Sequence, residues 1–152
     1  MGRKNLTSVL VVLVVTILTI AGCSSSEEVT PEETAQQAVD AAFALFNAGD
    51  VDAWVEIRLR GSAFASDEER EKILEWMRTE EFGPRMAEGA QYEDIACESH
   101  GSGEWPVADA GPVEGYYLTC DTSLVAGDGS EVGEAFEWVV ADGEVVAVRS
   151  NR

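Results

Sequence analysis

Phe136-Glu137-Trp138-Val139-Val140-Ala141-Asp142-Gly143-Glu144-Val145-Val146-Ala147-Val148 is the stretch that decides the fold. Aromatic and β-branched residues flank Asp142-Gly143, a pair that tolerates the left-handed backbone of a two-residue hairpin. Strands are therefore predicted over 131–141 and 144–150. Working upstream, Gly127-Asp128-Gly129-Ser130 is a second hairpin turn, fed by a strand over 114–126. A further strand is predicted near 91–99, and residues 100–113, rich in Gly and Pro, read as a loop. Strands joined by hairpins form an antiparallel meander.

Alternation assigns the faces, because successive side chains point to opposite sides of a sheet. Tyr116, Leu118, Cys120, Thr122 and Leu124 share one face, as do Val132, Phe136, Trp138 and Val140, and Ile95 with Cys97. Cys97 and Cys120 then lie on the apolar faces of adjacent antiparallel strands, within reach of a disulfide. The competing reading is two free buried thiols. Zinc is disfavoured, since His100 is the only histidine in the chain.

Before residue 90 the period changes from 2 to 3.6. Thr30-Pro31-Glu32-Glu33 combines a capping box with proline at the first helical position. Ala35, Val39, Ala42, Phe43 and Phe46 succeed it on one stripe, and Asn47-Ala48-Gly49 ends the helix. Asp50 caps a second helix with Trp54, Ile57 and Val51 inward. Ser66-Asp67-Glu68-Glu69 opens a third, burying Ile73, Leu74, Trp76 and Met77, and Gly83-Pro84 and Gly89 break the helical pattern beyond it. Helices succeeded by a meander make an α+β domain over 30–152.

The N-terminus adds a different signal. Arg3-Lys4, an apolar run from Leu6 to Ile20, and Ile20-Ala21-Gly22-Cys23 have the order of a secretory signal peptide. The last four residues resemble the lipobox of bacterial lipoproteins. That resemblance implies cleavage after Gly22, a lipid on Cys23, and a flexible polar tether over 23–29. An uncleaved transmembrane helix over 6–22 is the alternative, at the short end of spanning length. Either way the domain is expected outside the cytoplasmic membrane, partnered with it through the lipid on Cys23.

The chain has 10 basic and 29 acidic residues, a net charge of −19. Residues 1–22 hold two of the basic residues and no acid, so the remainder carries 8 against 29, a net of −21. Nucleic acid is excluded as a partner, because binding it requires phosphate neutralisation. Anionic headgroups are disfavoured for the same reason.

Ala42-Phe43, Asn47-Ala48-Gly49-Asp50 and Ala53-Trp54 resemble the opening of NTF2-like (cystatin-like superfamily) domains, and residues 136–146 resemble their last two strands. The resemblance implies a curved sheet wrapped into a cone and closed by three helices, often around a pocket. Phe43, Phe46, Trp54, Tyr116, Phe136 and Trp138 would line such a pocket or fill it as core. Enzymes of this fold place an acid beside a tyrosine or second acid inside the cone, which makes Asp40, Tyr116, Tyr117, Asp121 and Glu137 the residues to weigh. Asp121, Tyr117 and Glu137 alternate away from the apolar stripe, and Asp40 lies beside the buried helix face, so no catalytic residue is assigned. An acid buried in the cone beside a tyrosine would revive an enzyme.

His100 with Glu98 and Glu104 reads as a solvated loop rather than a metal site, and Asp128-Gly129-Ser130-Glu131 is too short for a calcium loop. Gly101-Ser102-Gly103 precedes no helix and is no phosphate cradle. No cofactor is expected. Trp105, in the long loop, is the candidate contact for a partner, unless it folds back onto the sheet. The sequence thus favours a lipid-anchored, non-catalytic binding or accessory module of the cell envelope, whose partner is another envelope protein. The rivals are a carrier holding an apolar small molecule in the cone, and an enzyme.

Overall fold

The computed structural model describes residues 29–151. The signal peptide, Cys23 and the tether up to residue 28 lie outside the described residues. Helix α1 runs Pro31–Asn47, α2 Val51–Arg58 and α3 Asp67–Trp76. Strands β1 (Gln91–Val107), β2 (Gly111–Val125), β3 (Glu131–Ala141) and β4 (Glu144–Asn151) form one antiparallel sheet in the order β1-β2-β3-β4.

The caps are those the sequence specifies. Thr30 Oγ1 accepts from the Glu33 amide at 3.1 Å while the Glu33 carboxylate accepts from the Thr30 amide at 2.7 Å. The bonds that the Glu33 carboxylate accepts from the Thr30 amide and, at 2.9 Å, from the Thr30 hydroxyl hold its carboxyl below its ordinary pKa. At the other end of α1, Gly49 takes a left-handed φ of 77° and Asp50 caps α2 through the Ala53 amide. Asn47 couples this corner to the sheet. Its side chain accepts from the Tyr92 amide at 2.8 Å and donates to the Tyr92 carbonyl at 2.9 Å.

The third helix corrects the sequence reading. Gly83-Pro84 does not stop it; the chain continues through a π-helical turn, Met77–Phe82, into a short α4, Gly83–Ala87. The wider turn accommodates the proline, and the backbone closes so tightly that a Cβ on Gly83 would lie 1.9 Å from the Arg78 carbonyl oxygen. Glycine is required there by contact. Trp76 is another correction: it is 51 % exposed, because Leu74 and Met77 already occupy the inward stripe. On α2, Val55 is buried beside Trp54, whereas Val51 and Ile57 are only partly buried against the core.

The predicted loop over 100–113 is instead strand on both sides of a three-residue tip, Ala108–Ala110. Its glycines have sheet roles. Gly103 pairs with Gly115 across β1 and β2, and Gly101 sits in a bulge between Ser99 and Ser102. The bulge and the bare Gly pair let a long hairpin bend. It bends far enough that Val107 packs with Val139 of β3 and Ala147 of β4. The loop after α2 bridges the two edge strands: the Ala108 amide donates to the Gly61 carbonyl at 3.2 Å and the Val148 amide to the Arg60 carbonyl at 3.3 Å. The sheet is therefore curled, with α1 and α2 against its inner face.

Inside the curl the space is filled. Phe43 is the hub, with ring centroids 5.2 Å from Tyr92, 5.4 Å from Phe136, 5.2 Å from Trp138 and 6.0 Å from Trp54. Phe46 and Phe82 extend the cluster, and all seven rings are buried. Edge-to-face packing of this kind adds to the burial of apolar surface. The Arg58 guanidinium lies 4.9 Å from the Phe136 ring centroid and 5.9 Å from that of Trp54, closing the cluster with cation–π contacts.

Candidate binding clefts

The residues proposed to line an interior pocket separate into two groups. Phe43, Phe46, Trp54, Phe136 and Trp138 are packed core, each at most 1 % exposed. Four clefts of about 310 to 490 Å³ open on the described surface, and none of the four is lined by any of these five. Tyr116 alone of the six lines one of these four. It is partly buried and lines about 420 Å³ beside Val29, Pro31 and the Asp142-Gly143 turn.

Trp105 is placed by β1. Its indole lies over Gly103, where a Cβ would fall 3.7 Å from the ring, and its Nε1 donates to the Gly115 carbonyl at 2.9 Å. It stacks on Tyr117 at 4.6 Å with 28° between planes, and His100 leans on the other ring of that pair at 5.3 Å. The tryptophan thus folds back onto the sheet and stays half-buried rather than projecting from a loop. It forms one wall of a cleft of about 310 Å³ on the outer sheet face. Pro106, Tyr117, Val139, Ala147 and Val148 contribute the rest of the apolar lining, and Glu137 and Arg149, paired across β3 and β4, supply its charges. Burial first, then the charge and hydrogen bond of Glu137, raise the Tyr117 phenol above its ordinary pKa. Tyr117, Val139 and Arg149 were not singled out as a group by the sequence; only the register that aligns Tyr117 with Val139, and Glu137 with Arg149, assembles them.

The other candidates stand apart. Asp40 is exposed and accepts from Gln36 at 2.9 Å, and Asp121 is exposed. His100 Nε2 is 2.8 Å from Thr119 Oγ1. Among the described residues, no three or more His, Cys, Asp or Glu side chains group as metal ligands. Cys97 and Cys120 form a disulfide with Cα atoms 4.0 Å apart, directly opposite in register. Disulfides of this kind belong to oxidising, extracytoplasmic compartments. Among the described residues no helix is long and apolar enough to cross a membrane.

One pair escaped the sequence reading. Glu134 is only 8 % exposed and accepts from the Tyr92 hydroxyl at 2.8 Å. Alternation along β3 puts Glu134 on the same face as Phe136, which was the available signal. Val132, on that face too, is 61 % exposed, because it lies at the hairpin end of the strand, where a cleft opens. Burial, then the charge of Glu134 and the hydrogen bond to it, push the Tyr92 pKa far above its ordinary value, against the opposing pull of Arg58 and Arg85. The pair is the acid-beside-tyrosine arrangement that would revive the enzyme reading. Yet the phenol is 2 % exposed and its proton is committed to Glu134, so it has none to offer a ligand.

The raised phenol has a consequence for stability. With the folded pKa above the unfolded value of about 10, the unfolded state loses this proton first as pH rises. The neutral phenol's contribution is complete below about pH 10 and declines above it, by about 1.4 kcal/mol per pH unit. Urea midpoints measured from pH 9 to 11 (on the order of the ordinary phenol range) should fall more steeply for the wild type than for Tyr92→Phe. Parallel slopes would refute this role for Tyr92.

No family model, curated protein or solved structure matches this chain.

Proposed function

We propose that this chain is a lipid-anchored extracytoplasmic domain with an NTF2-like fold, acting as a non-catalytic binding module for another envelope protein. The observation that carries the reading is the cleft walled by Trp105 and Tyr117. Tryptophan, tyrosine and arginine are the residue types that dominate binding energy at protein interfaces, and this cleft brings one of each together. The hairpin that forms its wall is stapled at its base by Cys97–Cys120, so little order is lost when a partner docks. The curled sheet, the three helices and the disulfide fit the NTF2-like resemblance and an exported domain. The lipobox-like Ile20-Ala21-Gly22-Cys23 supplies the tether. The carrier reading loses support, because an interior filled by its own rings has no room for cargo.

The test uses the full chain in its native host. A photo-crosslinking residue at Pro106 should yield a discrete protein adduct in the membrane fraction, and the same probe at exposed Glu75 should not. Arg149→Glu should weaken the Pro106 adduct without altering the fold. Cys23→Ala should remove the lipid mass and release the protein from the detergent-extracted fraction. Absence of an adduct at Pro106, or one indifferent to Arg149→Glu, would eliminate the cleft. An intact Met1 N-terminus with no lipid on Cys23 would eliminate the anchor.

A further inference from the structure

Two of the four clefts lie back to back. The cleft beside the start of α1 is lined by Val29, Tyr116 and Val140, and the Trp105 cleft by Tyr117 and Val139. Tyr116 pairs with Val140 and Tyr117 with Val139, so only the sheet separates the two. Trp105 Nε1 donates to the carbonyl of Gly115, a residue that lines the first cleft. A sheet with its side chains occupies about 10 Å. Val29, the first described residue, therefore stands behind the Trp105 cleft at roughly that distance. Six peptide steps separate Cys23 from Val29. At about 3.3–3.6 Å for each extended residue, the tether reaches about 21 Å at full stretch. We propose that the Trp105 cleft docks an integral membrane protein at the segment emerging from its membrane span, with an apolar side chain of that segment between Trp105 and Val139. The proposal rests on the lipid on Cys23 and on the Trp105 cleft being the binding surface.

Tether and sheet together keep this cleft within about 30 Å of the lipid, of which the headgroup layer takes about 5–8 Å. That bound holds however the domain turns on its tether. The far end of the sheet is not so placed, since Glu134 lies five residues farther along β3 than Val139, about 17 Å away. A protein confined to the same membrane meets the cleft at a height both partners share. Confinement also raises its effective concentration without any new contact. A large soluble partner gains nothing from the short tether and has to enter between domain and bilayer. The lipid surface itself is a poor occupant. The hairpin arm from Ser102 to Gly115 carries Glu104, Asp109 and Glu114, all exposed, and no lysine or arginine. Anionic headgroups repel such an arm. Its apolar wall is thus left for a neighbour in the membrane plane.

The test places a protease recognition site between Ser26 and Glu27 of the full chain that carries the photo-crosslinking residue at Pro106. After irradiation in the native host, membranes are cut with the protease and washed with alkaline carbonate. Domain without a crosslink should be released, whereas the Pro106 adduct should stay in the pellet, held by the partner's own span. Release of the adduct would overturn the proposal while leaving the cleft in place. A second arm inserts about 24 Gly/Ser residues at the same point, which lengthens the tether about fivefold. Adduct yield should then fall about tenfold, because effective concentration declines as roughly the −3/2 power of linker length. An undiminished yield would also overturn the proposal. Failure of the underlying reading looks different. No Pro106 adduct with the unmodified tether, or no lipid mass on Cys23, removes the cleft or the anchor, and this inference with it.

Discussion

Phe43→Ala is expected to lower the stability of the domain by about 3–5 kcal/mol, as truncation of a fully packed phenylalanine does. The ring touches four other aromatic rings drawn from α2, β1 and β3, and is 1 % exposed. No single element can move to fill the space, because Tyr92 is tied to Asn47 through its backbone and to Glu134 through its hydroxyl. A cavity that cannot collapse costs its lining dispersion contacts as well as the transfer energy of the lost atoms. Against a total of about 5–15 kcal/mol for an ordinary domain, that is a substantial fraction of the stability. Urea denaturation of wild type, Phe43→Ala and the partly buried Phe64→Ala checks this, with Phe64→Ala expected to cost far less. The measurement also discriminates between a filled interior and an open one. A loss below about 1 kcal/mol at Phe43 would mean a ring lining empty space, as a ligand-carrying cone requires.

What the sequence disclosed and what it concealed divide along range. Capping boxes, the Asn47-Ala48-Gly49-Asp50 corner and the Asp142-Gly143 turn are written within a few consecutive residues, and each is found where it was expected. The Cys97–Cys120 pairing was legible because two alternating strands and an oxidising compartment pointed to the same partners. Residues 100–113 misled because Gly and Pro signal turns when read singly. Here Gly103 and Gly115 form a bare cross-strand pair beneath the Trp105 indole, a contact between segments 12 residues apart. The π-helical turn had no local signature either: Gly83 is required by the Arg78 carbonyl above it, and Pro84 would ordinarily announce an end. Of the outer cleft, the sequence singled out Trp105 and assigned Tyr117 and Glu137 to the outer side, but the register joins them to Val139 and Arg149. Glu134 was hidden most deeply. Alternation with Phe136 is its one local sign of burial, and the tyrosine that holds it lies 42 residues away.

Removal of the disulfide, by reduction or by a Cys97→Ala, Cys120→Ala double variant, is expected to cost about 3 kcal/mol on the chain-entropy account of the closed loop. The two cysteines are 23 residues apart in sequence and lie directly opposite in the ladder. Their position between two irregularities gives the bridge a second effect. Register shifts interrupt the β1–β2 pairing between Glu93 and Ala96 and again between Ser99 and Ser102, so Cys97–Cys120 pins the short stretch that separates them. Without it, the outer part of the hairpin depends on a Gly-rich ladder and on the small cluster around Val107, Val139 and Ala147. Such segments open locally at free energies well below that of global unfolding. Hydrogen exchange in the reduced protein should therefore accelerate first across 102–116, including the hairpin that walls the Trp105 cleft, while amides of α1 and β3 remain protected. The Pro106 crosslink should weaken in parallel, since the partner would have to order the hairpin as well as bind it. Uniform acceleration over the whole domain would show that the bridge acts only on the unfolded chain. Unchanged exchange across 102–116 after reduction would show that the hairpin holds its own shape, and would separate the disulfide from the binding cleft altogether.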